Sequence, residues 1–262
     1  MHKYVLHIGY DGSCFRGWQR QIDVPNVQQA FEETLSKVIN KETTVFGCGR
    51  TDALVHASQY FLQFETESEL DDKFVFIINK VLPEAIKVYD IKKVEKVLSV
   101  QNHALSRTYR YYFHVKNNAF LAKYSSYYPF QDLSIKRMRA AASLFEGKHD
   151  FYSFCKTPDK HAHTIVNIFS AELSYNMDKW LYCLEIKGDR FLKGMIRAVA
   201  QNIISVGSGK IQLDETKRRL EFAAAYANIQ LAYPQGLYLA RVIYKEFDFE
   251  PNHEPLWYIL QH

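Results

Sequence analysis

Cysteine is scarce in this 262-residue chain, with only four, and Cys14, Cys48, Cys155 and Cys183 form no Cys-x-x-Cys pair. A disulfide framework and a zinc knuckle are thereby excluded, and reduced thiols are expected. Glycine and proline are also sparse, at 11 and 7 residues, and no stretch is of low complexity, which sets aside collagen-like and disordered classes. No apolar run approaches the roughly 18 residues a membrane helix needs before a charge interrupts it. The opening Met1-His2-Lys3-Tyr4 lacks the apolar stretch of a secretory signal, so a cytoplasmic location with no membrane partner is the expectation. A Gly-rich phosphate loop, a dinucleotide fingerprint and a nucleophile elbow are missing too, and no cofactor is expected. His161-Ala-His163 is a lone pair in a polar loop and no metal is expected. Charge of one sign is in short supply: 33 basic against 29 acidic residues give +4, too little to identify a partner without knowing where the cations lie.

Apolar and aromatic residues are plentiful, at 47% and 15%. Their periodicity predicts a strand over 3–10, a helix over 24–39 carrying Val27, Phe31, Leu35 and Val38 with Pro25-Asn26 at its start, and a short strand over 43–46. A half-buried strand follows over 58–66, with Tyr60, Leu62 and Phe64 on one face. A helix near 70–80 and a strand near 84–96 complete a first group of elements. The order then begins again with a strand over 107–116, a helix over 134–146, strands near 165–175 and 180–188, helices over 191–206 and 214–226, and a closing strand over 237–248. The reading is an α+β fold of two similar α/β units with mostly antiparallel sheets, helices on one face and an active-site cleft between them. Residues 1–104 are expected as an N-terminal domain and 105–262 as a C-terminal one.

The densest unusual cluster is Gly47-Cys48-Gly49-Arg50-Thr51-Asp52-Ala53-Leu54-Val55-His56, a loop between strands. Its composition alone suits an ordinary Asx turn as well as it suits a catalytic loop. In the segment 191–206 the polar residues Arg190, Lys193, Arg197 and Gln201 recur at spacings of three or four and form one stripe on an otherwise apolar helix. An arginine in such a stripe is either a snorkelling structural residue or one that faces an anion. Tyr109 shares a strand face with Tyr111, Phe113 and Val115, which core packing alone would explain.

Gly49-Arg50-Thr51-Asp52-Ala53-x-Val55-His56 resembles the signature loop of the tRNA pseudouridine synthase A family. Further blocks resemble the family in its own order: Tyr10-Asp11-Gly12 with Gly17-Trp18-Gln19-Arg20-Gln21, Val27-Gln28, Ser106-Arg107-Thr108-Tyr109-Arg110-Tyr111, Gly147-x-His149-Asp150-Phe151, Phe191-Leu192-x-x-Met195-Ile196-Arg197, and Gly236-Leu237-Tyr238-Leu239. The resemblance implies a cofactor-free enzyme that isomerises uridine to pseudouridine in the anticodon stem-loop of tRNA, at tRNA positions 38–40, and works as a homodimer. By the same resemblance Asp52 is the essential carboxylate, Arg197 its cationic partner, and Tyr109 the ring that stacks on the base and assists loss of the C5 proton. Arg50 then holds the extruded base or its phosphate, and Leu237 packs beneath the uracil. An aspartate with an ordinary pKa of about 3.9 is ionised at neutral pH and can serve as nucleophile or base, and a guanidinium nearby keeps it so. Attack at C6, attack at C1′ and removal of a sugar proton remain open as its first step. Phosphate contacts are expected among Lys136, Arg137, Arg139, Lys187, Arg190, Lys217, Arg218 and Arg219. Leu54 and Gln201 stand where the family has glycine, Gln101 and Val166 where it has arginine, and Ala198 where it has asparagine. Those departures leave room for the same chemistry on another tRNA site or on ribosomal RNA, and for a catalytically silent RNA-binding module.

Overall fold

The computed structural model describes residues 1–94, 98–222, 229–250, 254, 256, 257 and 260. The chain divides into two compact units, Met1–Leu105 with Tyr238–Glu254, and Ser106–Leu237 with Pro255–His262. The architecture is mixed α/β with mostly antiparallel strand pairing.

In the first unit, β1 (His2–Tyr10) pairs antiparallel with both β3 (His56–Thr66) and β4 (Ile86–Val94). Helix α1 (Val27–Ile39) starts where the Asn26 side chain accepts from the Gln29 amide, and stops at Asn40, which takes the left-handed conformation that ends helices. Its buried face carries Val27, Phe31 and Leu35. Helix α2 spans Phe74–Val81. The strand expected over 43–46 is only β2 (Phe46–Gly47), paired with β3. The reason lies in α1: the Val45 amide donates to Glu32 Oε1 at 3.0 Å and the Thr43 amide to Ser36 Oγ at 2.9 Å, so these amides are satisfied by helix side chains instead of a ladder.

In the second unit, β5 (Ser106–His114) pairs antiparallel with β9 (Leu181–Gly188), β9 with β8 (Ile165–Asn176), and β8 with β7 (Gly147–Asp150). The two-residue β6 (Ser126–Tyr127) runs parallel to β5. Helix α3 (Ile135–Ser143) packs on β8 and on α4 (Met195–Gly207), and α5 (Leu213–Glu221) follows. The helix expected over 191–206 therefore begins four residues late. Gly194 precedes it at φ +74°, a conformation that breaks the helical path. Arg190 and Lys193 are consequently off the helix, and the polar stripe shrinks to Arg197 and Gln201. Residues 223–226 of the last expected helix and 95–96 of the strand over 84–96 lie outside the described residues. Trp257 stacks on the guanidinium of Arg110, 3.6 Å from its ring centre, while Arg110 pairs with Glu185 at 2.6 Å.

Strand β10 (Leu237–Ile243) brings the chain back to the first unit, where Tyr238 and Leu239 run parallel to His56 and Ala57 of β3. This return corrects the half-buried reading of β3. Phe61 is 1% exposed because Tyr244 and Phe247 close edge-on over it at 5.3 Å each. Gln59 on the same strand is tied down by the Val242 amide at 2.9 Å and by its own bond to the Phe249 carbonyl at 3.2 Å. Both faces of β3 are covered, the second by residues about 180 positions later in the chain.

Candidate active site

The loop after β2 is built by bracing from several directions. Cys48 extends the pairing with Phe61, Tyr60 donates to the Gly49 carbonyl at 2.5 Å, and the Tyr10 and Thr51 hydroxyls meet at 2.8 Å in a buried contact. Trp18 stacks on Tyr60 at 4.2 Å, and its amide bonds the Thr51 carbonyl at 3.2 Å. Gly47 is required here, since a Cβ would lie 2.0 Å from the Tyr60 hydroxyl and 2.6 Å from the Trp18 ring.

Asp52 is half-buried and opens a tight turn closed by the Val55 amide on the Asp52 carbonyl at 3.2 Å. Leu54 occupies the third position of that turn at φ +65°, whereas Ala53 stays at negative φ. A positive φ confined to that position is the signature of a type II turn, which favours glycine there. Leucine adopts the glycine conformation itself, so the departure from the family keeps the turn at a cost in strain of about 1–2 kcal/mol. Arg50 lies exposed on the same loop.

Two motifs that the sequence keeps 44 residues apart meet beneath the loop. His56, 2% exposed, is stacked on Tyr238 at 4.5 Å, and its Nδ1 lies 3.2 Å from Asp11 Oδ1 and 3.1 Å from the Gly12 amide nitrogen. Nδ1 accepts the Gly12 amide N–H while it carries a lone pair and donates to Asp11 when it carries the proton, so the position of the imidazole proton selects between the two contacts. Burial pushes the Asp11 carboxyl upward, but hydrogen bonds from His56 and Ser13 outweigh it and hold the group well below the usual carboxylate range. Asp11 and His56 were read from sequence only as a turn signal and as the end of a motif. Their presence in two separate blocks of one family was the signal that could have joined them.

The other expected site residues belong to the second unit. Tyr109 stands on β5 opposite Ile186, half-buried, its ring edge-on to Phe191 at 5.2 Å. Arg197 sits in the first turn of α4 and is locked to one residue twice: its Nε donates to the Ala232 carbonyl at 2.7 Å, and its own carbonyl accepts from the Ala232 amide at 3.0 Å. One turn later Gln201 accepts from Tyr128 at 3.2 Å and donates to Ser205 at 3.2 Å, so the side chain replacing the family's glycine is put to use. Tyr128 in turn meets the Tyr111 hydroxyl at 3.2 Å. Leu237 is buried at the start of β10. Val166 is buried in β8 and Gln101 exposed. Of the cations expected on phosphate, Arg219 is paired with Glu215 at 2.7 Å, Lys217 with Asp214 at 3.7 Å, and Arg190 contacts His163 at 3.1 Å. Among the described residues no three His, Cys, Asp or Glu side chains gather as a metal site, and no helix is long and apolar enough to cross a membrane.

A family model described as tRNA pseudouridine synthase matches residues 141–245. The tRNA pseudouridine synthase A of Caldicellulosiruptor bescii is 33% identical over 247 residues, covering 93% of this chain and 100% of the relative. Its counterpart in Bacteroides fragilis is 32% identical over 252 residues, with 95% and 99% covered. That of a Picosynechococcus species is 34% identical over 266 aligned positions, with 99% and 94% covered.

Proposed function

The chain belongs to the tRNA pseudouridine synthase A family and forms pseudouridine in tRNA, and on that premise we propose that Asp52, Tyr109 and Arg197 carry the reaction. The isomerisation is balanced without a co-reactant. The N1 glycosidic bond to C1′ breaks, the uracil turns, a bond forms from C5 to C1′, and the C5 proton is lost as N1 gains one. Asp52 supplies the carboxylate that starts this sequence, Arg197 contributes a fixed cation, and Tyr109 stacks on the uracil and assists the C5 proton. Arg50 holds the extruded nucleotide and Leu237 lies under the base.

One observation carries the reading: Asp52 heads a turn whose flanks are pinned by Tyr10, Tyr60 and Trp18, the kind of preorganisation a reacting carboxylate needs. The double lock of Arg197 on Ala232 supports it, since a guanidinium held at Nε has one preset direction. We further assign the target to the anticodon stem-loop, the assembly to a homodimer and the location to the cytoplasm.

tRNA tritiated at uracil C5 tests the chemistry. The wild type should release label, and Asp52→Asn, correctly folded by circular dichroism, should fall by about 10⁴-fold or more. Undiminished release by Asp52→Asn would overturn the assignment. Release from full tRNA, from tRNA lacking uridine in the anticodon stem-loop, and from ribosomal RNA locates the target.

A further inference from the structure

The chain from Asp11 to Trp18 lies as a strap along the backbone of the Asp52 turn. A Cβ on Gly12 would fall 2.0 Å from the Val55 carbonyl oxygen, and one on Gly17 would fall 2.6 Å from the Thr51 carbonyl oxygen and 3.2 Å from the Asp52 carbonyl carbon. Between those two approaches the Leu54 amide donates to the Phe15 carbonyl at 3.3 Å. Strap and turn therefore run together from Thr51 to Val55, and neither moves without the other.

One end of the strap is held by Trp18, whose amide bonds the Thr51 carbonyl at 3.2 Å. The other is held by His56, which follows the turn and opens β3. His56 Nδ1 lies 3.1 Å from the Gly12 amide nitrogen and 3.2 Å from Asp11 Oδ1, so it grips the strap in either protonation arrangement, accepting from Gly12 or donating to Asp11. The ring has little freedom to leave. It is buried, and Tyr238, its register partner on β10, lies nearly parallel to it, with 14° between the planes. Asp11 also shapes the strap: its carboxylate accepts from the Ser13 amide at 2.9 Å, beside the bond from the Phe15 amide to the Gly12 carbonyl at 3.0 Å.

On the reading that Asp52 is the reacting carboxylate, we propose that His56 and Asp11 are positioning residues for the isomerisation, which together anchor the strap that sets the direction of Asp52. Neither touches the uridine; both act through the turn. Leu54 makes the anchor necessary. At φ +65° its backbone is strained, and such a conformation persists only where the surroundings over-determine it. A turn released at the His56 end still lets RNA bind, but it presents the carboxylate in the reactive direction less often. The loss then falls on the chemical step and not on binding.

Three variants separate the polar anchor from the packing of the ring. His56→Phe keeps a ring against Tyr238 and removes Nδ1, His56→Asn removes the ring and keeps a polar atom close to the Nδ1 position, and Asp11→Asn removes the charge while leaving an oxygen for the Ser13 amide. In C5 tritium release from tRNA, His56→Phe should lower kcat by about 30-fold with KM changed by less than about twofold, and His56→Asn should be less impaired. Asp11→Asn should lower kcat by about fivefold, and the double variant Asp11→Asn/His56→Phe should fall no further than His56→Phe alone, since the two residues form one anchor. Amide hydrogen exchange at Leu54 and Val55 should be faster in His56→Phe by about tenfold, a readout of the turn that stands whichever carboxylate does the chemistry. Should either His56 variant fail to fold, Asp11→Asn, at a part-exposed side chain, provides the same kinetic and exchange readouts. Wild-type kcat in His56→Phe, a loss confined to KM, His56→Asn no better than His56→Phe, additive losses in the double variant, or unchanged exchange at Leu54 and Val55 each overturns the proposal.

Discussion

The loop of the first unit that carries Asp52 and helix α4 of the second, which carries Arg197, hold the side chains proposed for catalysis by opposite means. Between Cys48 and Val55 there is little regular secondary structure, so Asp52 depends on side chains reaching in from elsewhere: Tyr10 from β1, Tyr60 from β3 and Trp18 from the segment before α1. Arg197 sits on a helix that is nearly all buried, where the backbone ladder fixes the Cα and the Ala232 carbonyl holds the guanidinium at Nε. A loop that presents a carboxylate draws on many external braces, each of modest worth, while a buried helix supplies most of the hold from its own backbone. Damage should therefore be graded in the first unit and abrupt in the second.

Removal of the Asp52 carboxylate itself apart, the largest effect is expected in the second unit. Arg197→Ala should lower kcat by about 10²–10³-fold, the cost of removing one preorganised charge partner, with a loss of stability near 1 kcal/mol from the bond to Ala232. A fall under threefold in single-turnover tritium release would break the contrast.

Next comes acid sensitivity, which should be concentrated in the first unit. The His7 pKa is lowered from 6.5 to about 4 by burial, so between those values the unfolded chain binds the extra proton. The stabilisation is complete above pH 6.5 and is lost as pH falls towards 4, about 3 kcal/mol in all. The depressed Asp11 carboxyl adds a further loss below about pH 4, since its contribution exists only while it is ionised. Urea melts across this range should steepen accordingly, and His7→Phe should flatten the part above pH 4. Hydrogen exchange should rise in β1 and β4 before β8 and β9; the reverse order would contradict the comparison.

Smaller effects should follow from thinning the braces one at a time. Tyr10→Phe leaves the Thr51 hydroxyl without that partner, and Tyr60→Phe does the same to the Gly49 carbonyl, at about 1–3 kcal/mol each. Each should lower kcat by about tenfold with KM little changed, since loop geometry is what they set. The smallest change has the opposite sign. Leu54→Gly relieves the left-handed strain and should raise stability by at most about 1 kcal/mol, once glycine's extra unfolded-state entropy is subtracted. A thermal melt that moves downward would show that the leucine side chain, not its backbone, governs the position.

What the sequence disclosed was local. The periodicity of Val27, Phe31 and Leu35 announces α1, Asn26 its cap, and the Gly-Arg-Thr-Asp run its loop, because each rests on neighbours within a few residues. Long-range closure was illegible. Nothing near Phe61 tells that Tyr244 and Phe247 will cover it, and nothing near Thr43 tells that α1 side chains will take the amides that alternation assigned to a strand. The stripe through Arg190 failed for a third reason: an apolar run continued through Gly194, and hydropathy does not register a positive φ. Asp52, Arg197 and Tyr109 were assigned by resemblance, while the Asp11–His56 pairing required coordinates.

The first unit is discontinuous in the chain, and this governs its birth on the ribosome. By the time β4 has been made, β3 has both of its early neighbours, yet the Phe61 face stays bare until residues 244–249 emerge. At about 5–20 residues per second that interval is on the order of ten seconds or more, during which a sticky aromatic surface waits beside a growing second unit. Nascent chains halted before β10 should accordingly recruit holdase chaperones, and release of those chaperones should coincide with the last few dozen residues.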